Sequence, residues 1–218
     1  MFVVIFEVQP KKERWDDYLA LAKQLKPKLE AIDGFIDNER FRSQRTEGRL
    51  LSLSTWRDEK AVIRWRTHGE HHGVQEKGRF EVFQDYYLRV GEVTADTCPP
   101  QGMRISQQRL DETEIGAAKS VTITETTSND AGPDAPPAHL GLDASARGLV
   151  DHELFESIYT PGKFLLLASW RDADAADAWR PASVPKSPRH RQVRIIRDYG
   201  MFDRREAPQF YPTVNPRS

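Results

Sequence analysis

The chain opens on a nearly unbroken apolar run over residues 2–8, closed by Gln9-Pro10, which predicts a strand buried on both faces. Residues 11–31 then place Trp15, Tyr18, Leu19, Ala22, Leu25 and Leu29 at spacings of three and four. This is the stripe of an amphipathic helix, which Asp33-Gly34 ends. Residues 35–43 and 49–56 predict two strands around the turn "RTEG", where Gly48 suits a positive φ. Asp58 is a fitting N-cap for a second helix carrying Ala61, Val62 and Trp65. Residues 80–90 alternate, with Phe80, Val82, Tyr86, Leu88 and Val90 on one face. The order β-α-β-β-α-β is the split βαβ of ferredoxin-like domains, whose helices cover one face of the sheet and leave the other bare.

The pattern then recurs. At an offset of 114, residues 34–66 and 148–180 agree at 15 of 33 positions without a gap, "SLSTWRDEKAVIRWR" lying over "LLASWRDADAADAWR". Asp85-Tyr86 and Asp198-Tyr199 match at an offset of 113. Such agreement marks a duplication. Two copies in one chain can bury their bare sheet faces against each other without a bimolecular step. The expected organisation is an intact unit over residues 1–95, a polar, Pro-containing linker over 96–103, a degenerate repeat over 104–210 and a tail over 211–218.

Composition narrows the class. A net charge of −1 gives no field to recruit nucleic acid or an anionic membrane. The single cysteine, Cys98, permits no internal disulfide. No apolar run approaches the length that spans a bilayer, and "MFVVIFEVQP" reads as a strand rather than a leader, so a cytoplasmic protein is expected. There is no phosphate loop, dinucleotide fingerprint, Ser-His-Asp set or Cys-rich metal motif.

The strand-turn-strand "RFRSQRTEGRLLSLSTWRDEKAV", the second tryptophan on the following helix and the closing "FQDYYLRV" resemble the antibiotic biosynthesis monooxygenase domain, of the dimeric α+β barrel superfamily. The resemblance covers residues 1–93 well and 116–205 in part. It implies an α+β fold: tandem ferredoxin-like units packed sheet to sheet as an intrachain pseudo-dimeric barrel, with further homodimerisation left open. It also implies a ligand pocket between each sheet and its own two helices. Members include cofactor-independent oxygenases of polyketide quinones and haem-degrading oxygenases. The expected activity is therefore monooxygenation of an aromatic, phenol- or hydroquinone-type small molecule with dioxygen and no bound organic cofactor. Haem binding with haem degradation, and a non-catalytic small-molecule-binding or stress-response module, are the rival readings.

The halves differ where a pocket would form. The first keeps both helices, and its second helix is expected to continue through "WRTHGEHHGVQEKGR", with His68, His72, Gln75 and Arg79 on the stripe of Trp65 and His71 off it. The second half has prolines at 181, 185 and 188, and in place of the first helix reads "TTSNDAGPDAPPAHLGLDASAR", with at most a short helix near 140–146. One working pocket, in residues 1–93, is expected. Trp56 and Trp170 read as aromatic plugs of the sheet ends. By the resemblance, Trp65 packs a flat substrate, with Tyr18, Tyr86 and Gln75 lining the site. Its retention as Trp179 in the altered half fits a packing role equally. His68 or His72 would move a proton, His72 would be the haem ligand if haem binds, and Asn38 or Arg89 would hold an anionic oxygen. Alternation sets Arg89 opposite the Leu88 face, toward the second sheet. No metal site is read from the sequence.

Overall fold

The computed structural model describes residues 1–127, 140–181 and 189–214. Pro185, Pro188 and the end of the tail lie outside them. The first half comprises β1 (Phe2–Pro10), α1 (Trp15–Glu30, after a 3-10 turn Lys12–Arg14), β2 (Phe35–Ser43), β3 (Leu50–Trp56), α2 (Glu59–Arg66), α3 (Gly69–Lys77), a π-helical turn Gly78–Val82 and β4 (Phe83–Asp96). The second comprises β5 (Ser120–Thr127), β6 (Leu149–Ser157), β7 (Lys163–Trp170), α4 (Ala173–Asp177) and β8 (Arg189–Gly200).

The eight strands close into one antiparallel barrel in the order β1-β3-β2-β6-β7-β5-β8-β4. Each half supplies a four-stranded sheet, and the two join at both edges, β2 to β6 and β4 to β8, so no edge is left open. Val3 and Ile5 of β1, Leu51 and Leu53 of β3, and Val121, Leu165, Val193 and Ile195 from the second half fill the interior. Phe2, Val4, Phe6 and Val8 alternate to the outer face, which explains why β1 reads as a continuous apolar run.

The duplication is visible in detail. Asp58 and Asp172 each cap the following helix by accepting the amide of Ala61 or Ala175 at 2.8 Å. Gly34 and Gly148 both have positive φ, +91° and +87°. A Cβ at either would meet the methyl of Ala61 or Ala175 at 2.6 or 2.5 Å, so the helix packs directly on the turn. Trp56 and Trp170 are buried plugs, with indole N–H bonds to Ser54 and Thr122.

Two elements differ from expectation. The strand expected over 80–90 starts at Phe83, because Phe80 and Val82 are taken up in the π-helical turn. The long second helix breaks after Arg66. Thr67 turns its hydroxyl back to the Ile63 carbonyl at 2.9 Å, and His68 adopts extended backbone (ψ 125°) before the chain restarts as α3. That break resets the helical phase for everything that follows.

Among the described residues, a buried apolar cluster lies beneath the second sheet, including Leu140, Leu142, Leu154, Phe164, Trp170 and Trp179. Trp179 lies 6.1 Å from Trp170, and its indole N–H reaches the Gly141 carbonyl at 3.4 Å.

Candidate functional site

A cavity of about 200 Å³ lies between the outer face of the first sheet and helices α1 to α3. Strand alternation builds its floor from Val4 and Phe6 of β1, Asn38 and Arg40 of β2, Ser52 and Ser54 of β3, and Tyr86, Leu88 and Val90 of β4. Helix α1 contributes Tyr18, Ala22, Leu25 and Leu29, and α2 contributes Val62 and Trp65. The second half contributes too: Arg197 and Tyr199 on β8, and Arg204, Pro208, Gln209 and Tyr211 beyond it. The pocket is thus not confined to residues 1–93.

The C-terminal segment forms a strap across the cavity. The Gln209 amide donates to the Arg66 carbonyl at 3.3 Å and to Gln75 Oε1 at 3.2 Å. Tyr211 stacks on His72 at 5.7 Å with a 3.2 Å contact between its hydroxyl and Nδ1. Arg79 holds the Pro212 carbonyl at 3.1 Å.

Of the residues singled out from the sequence, Trp65, Tyr18, Tyr86, Gln75 and Asn38 line the cavity and His68, His72 and Arg89 do not. The break at His68 rotates α3, so His71 faces inward and His72 faces the strap. His68 holds the N-cap position of α3, with no side-chain capping bond, instead of lining its face. His72, the residue on which haem ligation rested, therefore stands outside the cavity. Arg89 is buried in the barrel, bonded to Glu7 at 2.7 Å and Ser169 at 2.8 Å, as a side chain one position out of phase with Leu88 must be. Asn38 lines the site but has spent its donors, since Nδ2 bonds Ser52 Oγ and the Leu53 carbonyl, both at 3.0 Å. Only its oxygen is free, so it cannot stabilise an anion.

His71 lies flat on Trp65, ring centroids 4.0 Å apart and planes 14° from parallel. Its Nδ1 is 2.9 Å from the Trp65 carbonyl, which can only accept, so Nδ1 carries the proton and Nε2 is a free acceptor. Burial pushes its pKa down to about 4, and it is neutral at pH 7. So weak a base suits hydrogen-bond acceptance better than proton abstraction. Burial also lowers His190, packed edge-on to Trp179 at 5.3 Å, to about 4. Both groups bind protons in the unfolded chain over pH 4–6.5 but not in the folded one, so they stabilise the fold above about pH 6.5 and lose that contribution as pH falls toward 4. Each is worth on the order of 3 kcal/mol, lost in full once pH has fallen below the folded-state pKa. Urea midpoints measured at pH 7 and pH 5 are expected to fall for the wild type, and to fall less for His71→Gln and His190→Gln.

The electrostatics of the cavity wall are one-sided. Arg66, Arg197 and Arg204 all bear on the buried Tyr199, whose phenol is pushed up to about 12 chiefly by burial. Arg204 lies over the Tyr199 ring at 5.5 Å and donates to the Tyr86 hydroxyl at 2.7 Å and the Gln209 carbonyl at 2.9 Å. Among the described residues, none of these three guanidinium groups, nor Arg40 or Arg79, is ion-paired with a carboxylate, and Nε of Arg66 and Arg204 is buried without a partner. The one lining carboxylate, Glu59, is already paired with Arg109 at 2.6 Å. Tyr86 accepts from both Arg204 and Arg79, the latter at 3.1 Å, which leaves its own proton to be donated into the cavity.

The arginines were not singled out from the sequence. Arg66 directly follows Trp65, and Arg40 lies two residues from Asn38 on the same strand face, so period-two reading could have found Arg40. Arg197 and Arg204 reach the site only through barrel closure, and no local pattern marks them. Among the described residues no cluster of His, Cys, Asp and Glu suits a metal ion, and no helix is long and apolar enough to cross a membrane.

The profile of the antibiotic biosynthesis monooxygenase family matches residues 1–77 and 140–192. A protein of Pyricularia oryzae named jasmonate monooxygenase ABM is 44% identical over 99% of this chain and 100% of its own. The uncharacterized protein YqjZ of Bacillus subtilis is 32% identical over 42% of this chain and 78% of its own. Among solved structures, an aldoxime dehydratase in complex with butyraldoxime superposes with a TM-score of 0.56 at 12% identity, covering 89% of this chain and 79% of that one. That likeness is one of fold.

Proposed function

Because this chain belongs to the antibiotic biosynthesis monooxygenase family, we propose that it is a monooxygenase of a small apolar carboxylate of the jasmonate type. The observation that carries the reading is the group Arg66, Arg197 and Arg204, gathered on the cavity wall with no close ion pair among the described residues, Arg197 having only a longer-range attraction to Asp111. Cations drawn from water into a largely apolar site repel one another, and an anion bound among them offsets that cost. A phenol or hydroquinone is neutral at pH 7 and brings no such charge. The Pyricularia relative, similar along its whole length, is named for a carboxylate.

In this reading the three arginines seat the carboxylate, and Phe6, Leu25, Leu29 and Leu88 enclose the hydrocarbon body. Tyr86 offers a proton to an oxygen of the ligand, and neutral His71 offers an acceptor on the Trp65 side. The strap through Gln209 and Tyr211 excludes water. No organic cofactor is part of the proposal: the purified protein is expected to show no visible absorption band. A Soret band that survives in His72→Ala but disappears in His71→Ala would reinstate haem with a different ligand.

The test is oxygen consumption with product analysis by mass spectrometry. With an external two-electron donor such as a reduced nicotinamide or ascorbate supplied beside dioxygen, jasmonate is expected to gain one oxygen atom while the other leaves as water, and its methyl ester to react far more slowly at equal concentration. Equal turnover of acid and ester would refute the assignment of the arginines.

A further inference from the structure

The cavity holds a second cationic group. Arg40 lies on β2 and Arg197 on β8, with β3, β1 and β4 between them, while Arg66 ends α2 and Arg204 follows β8. At about 4.8 Å per strand the two strands are roughly 19 Å apart across the floor, axis to axis. Arg40 and Arg197 thus stand on strands at opposite sides of the floor.

Arg40 is held in place but not neutralised. Its Nη1 donates to the Tyr159 hydroxyl at 3.2 Å, reached because the Ile158 amide bonds the Arg40 carbonyl at 3.0 Å where β2 meets β6. Its Nε is buried without a partner, and no carboxylate among the described residues pairs with it. Tyr18 stands beside it from α1, also on the cavity wall, and its hydroxyl oxygen accepts from the Arg40 guanidinium; burial raises its phenol, so it keeps the O–H proton, which is left to donate. Asn38, two residues away on the same face, presents only its amide oxygen.

Resting on the carboxylate reading above, we infer that Arg40 and Tyr18 form a site for a neutral carbonyl oxygen, and that the substrate is an apolar oxo acid lying across the sheet. Two adjacent donors, a remaining guanidinium N–H and the Tyr18 O–H, match in number the two lone pairs of a ketone. The exposed acceptor oxygen of Asn38 and the presence of one cation rather than three disfavour a second carboxylate there. Arg40 is then a substrate-binding residue on the side of the floor opposite Arg197.

Calorimetric titration with three probes tests this: jasmonic acid, which carries a ketone as well as its carboxyl group, its methyl ester, and the analogue with methylene in place of the ketone. The wild type is expected to bind the methylene analogue at least tenfold more weakly than jasmonic acid. Arg40→Met is expected to bind those two alike while still discriminating against the ester, and Tyr18→Phe to lose part of the ketone preference. A wild type that binds ketone and methylene analogue equally, or an Arg40→Met variant that keeps the preference, overturns the inference and leaves the carboxylate reading standing. If the wild type binds the ester as tightly as the acid, or does not bind the acid, the carboxylate reading itself fails and the inference falls with it.

Discussion

Arg197→Met is expected to raise KM for the carboxylate substrate by roughly 10- to 150-fold, as for loss of a charged hydrogen bond worth about 1.5–3 kcal/mol. The same substitution should leave the melting temperature unchanged or higher. Arg197 makes no ion pair among the described residues and stands near Arg66 and Arg204, so methionine relieves repulsion without orphaning a buried anion. A purely structural arginine would behave in the opposite way, losing stability with KM little changed. Arg66→Met should reproduce the pattern, and the double variant should stop distinguishing acid from methyl ester. Steady-state kinetics beside thermal unfolding read both sides of the prediction.

The second large effect concerns a pair of tryptophans that the duplication made equivalent. Trp179→Ala is expected to destabilise the fold by about 3–5 kcal/mol, the range for emptying a buried aromatic site. Trp179 stacks with Trp170, meets His190 edge-on and is enclosed by Leu140 and Leu142. Trp65→Ala should cost far less, because Trp65 is half-buried on the wall of a cavity that already exists. Its loss instead removes the surface on which His71 lies, so turnover should fall while Trp179→Ala protein, where folded, retains its KM. Denaturant unfolding of both variants beside their kinetics checks this. Equal destabilisation would mean that the two halves are still packed alike.

The sequence made the architecture legible because its determinants are local or repeated. Period-two strands, the Gly34 and Gly148 turns and the Asp58 and Asp172 caps appear twice and agree with each other. The prolines of the second half predict a reduced first helix; the described part of that stretch, from Leu140 to Gly148, is turn and irregular chain, and Leu140 and Leu142 pack into the buried cluster there. The site was readable only where one element sets the direction of a side chain, as for Asn38 on β2, Tyr18 on α1 and Tyr86 on β4. It was misread where a helix break changed the phase. One extended residue, His68, exchanged the places of His71 and His72. It was invisible where residues more than a hundred positions apart meet through barrel closure, as Arg66 does with Arg197 and Arg204.

A crystal structure of the protein soaked with jasmonate tests the account most directly. It is predicted to show a single molecule under the first sheet, its carboxylate within hydrogen-bond distance of Arg197 and at least one of Arg66 and Arg204, with Trp179 still filling the corresponding place in the second half. A carboxylate directed to solvent away from the arginines, or a ligand lodged beside Trp179, would contradict it.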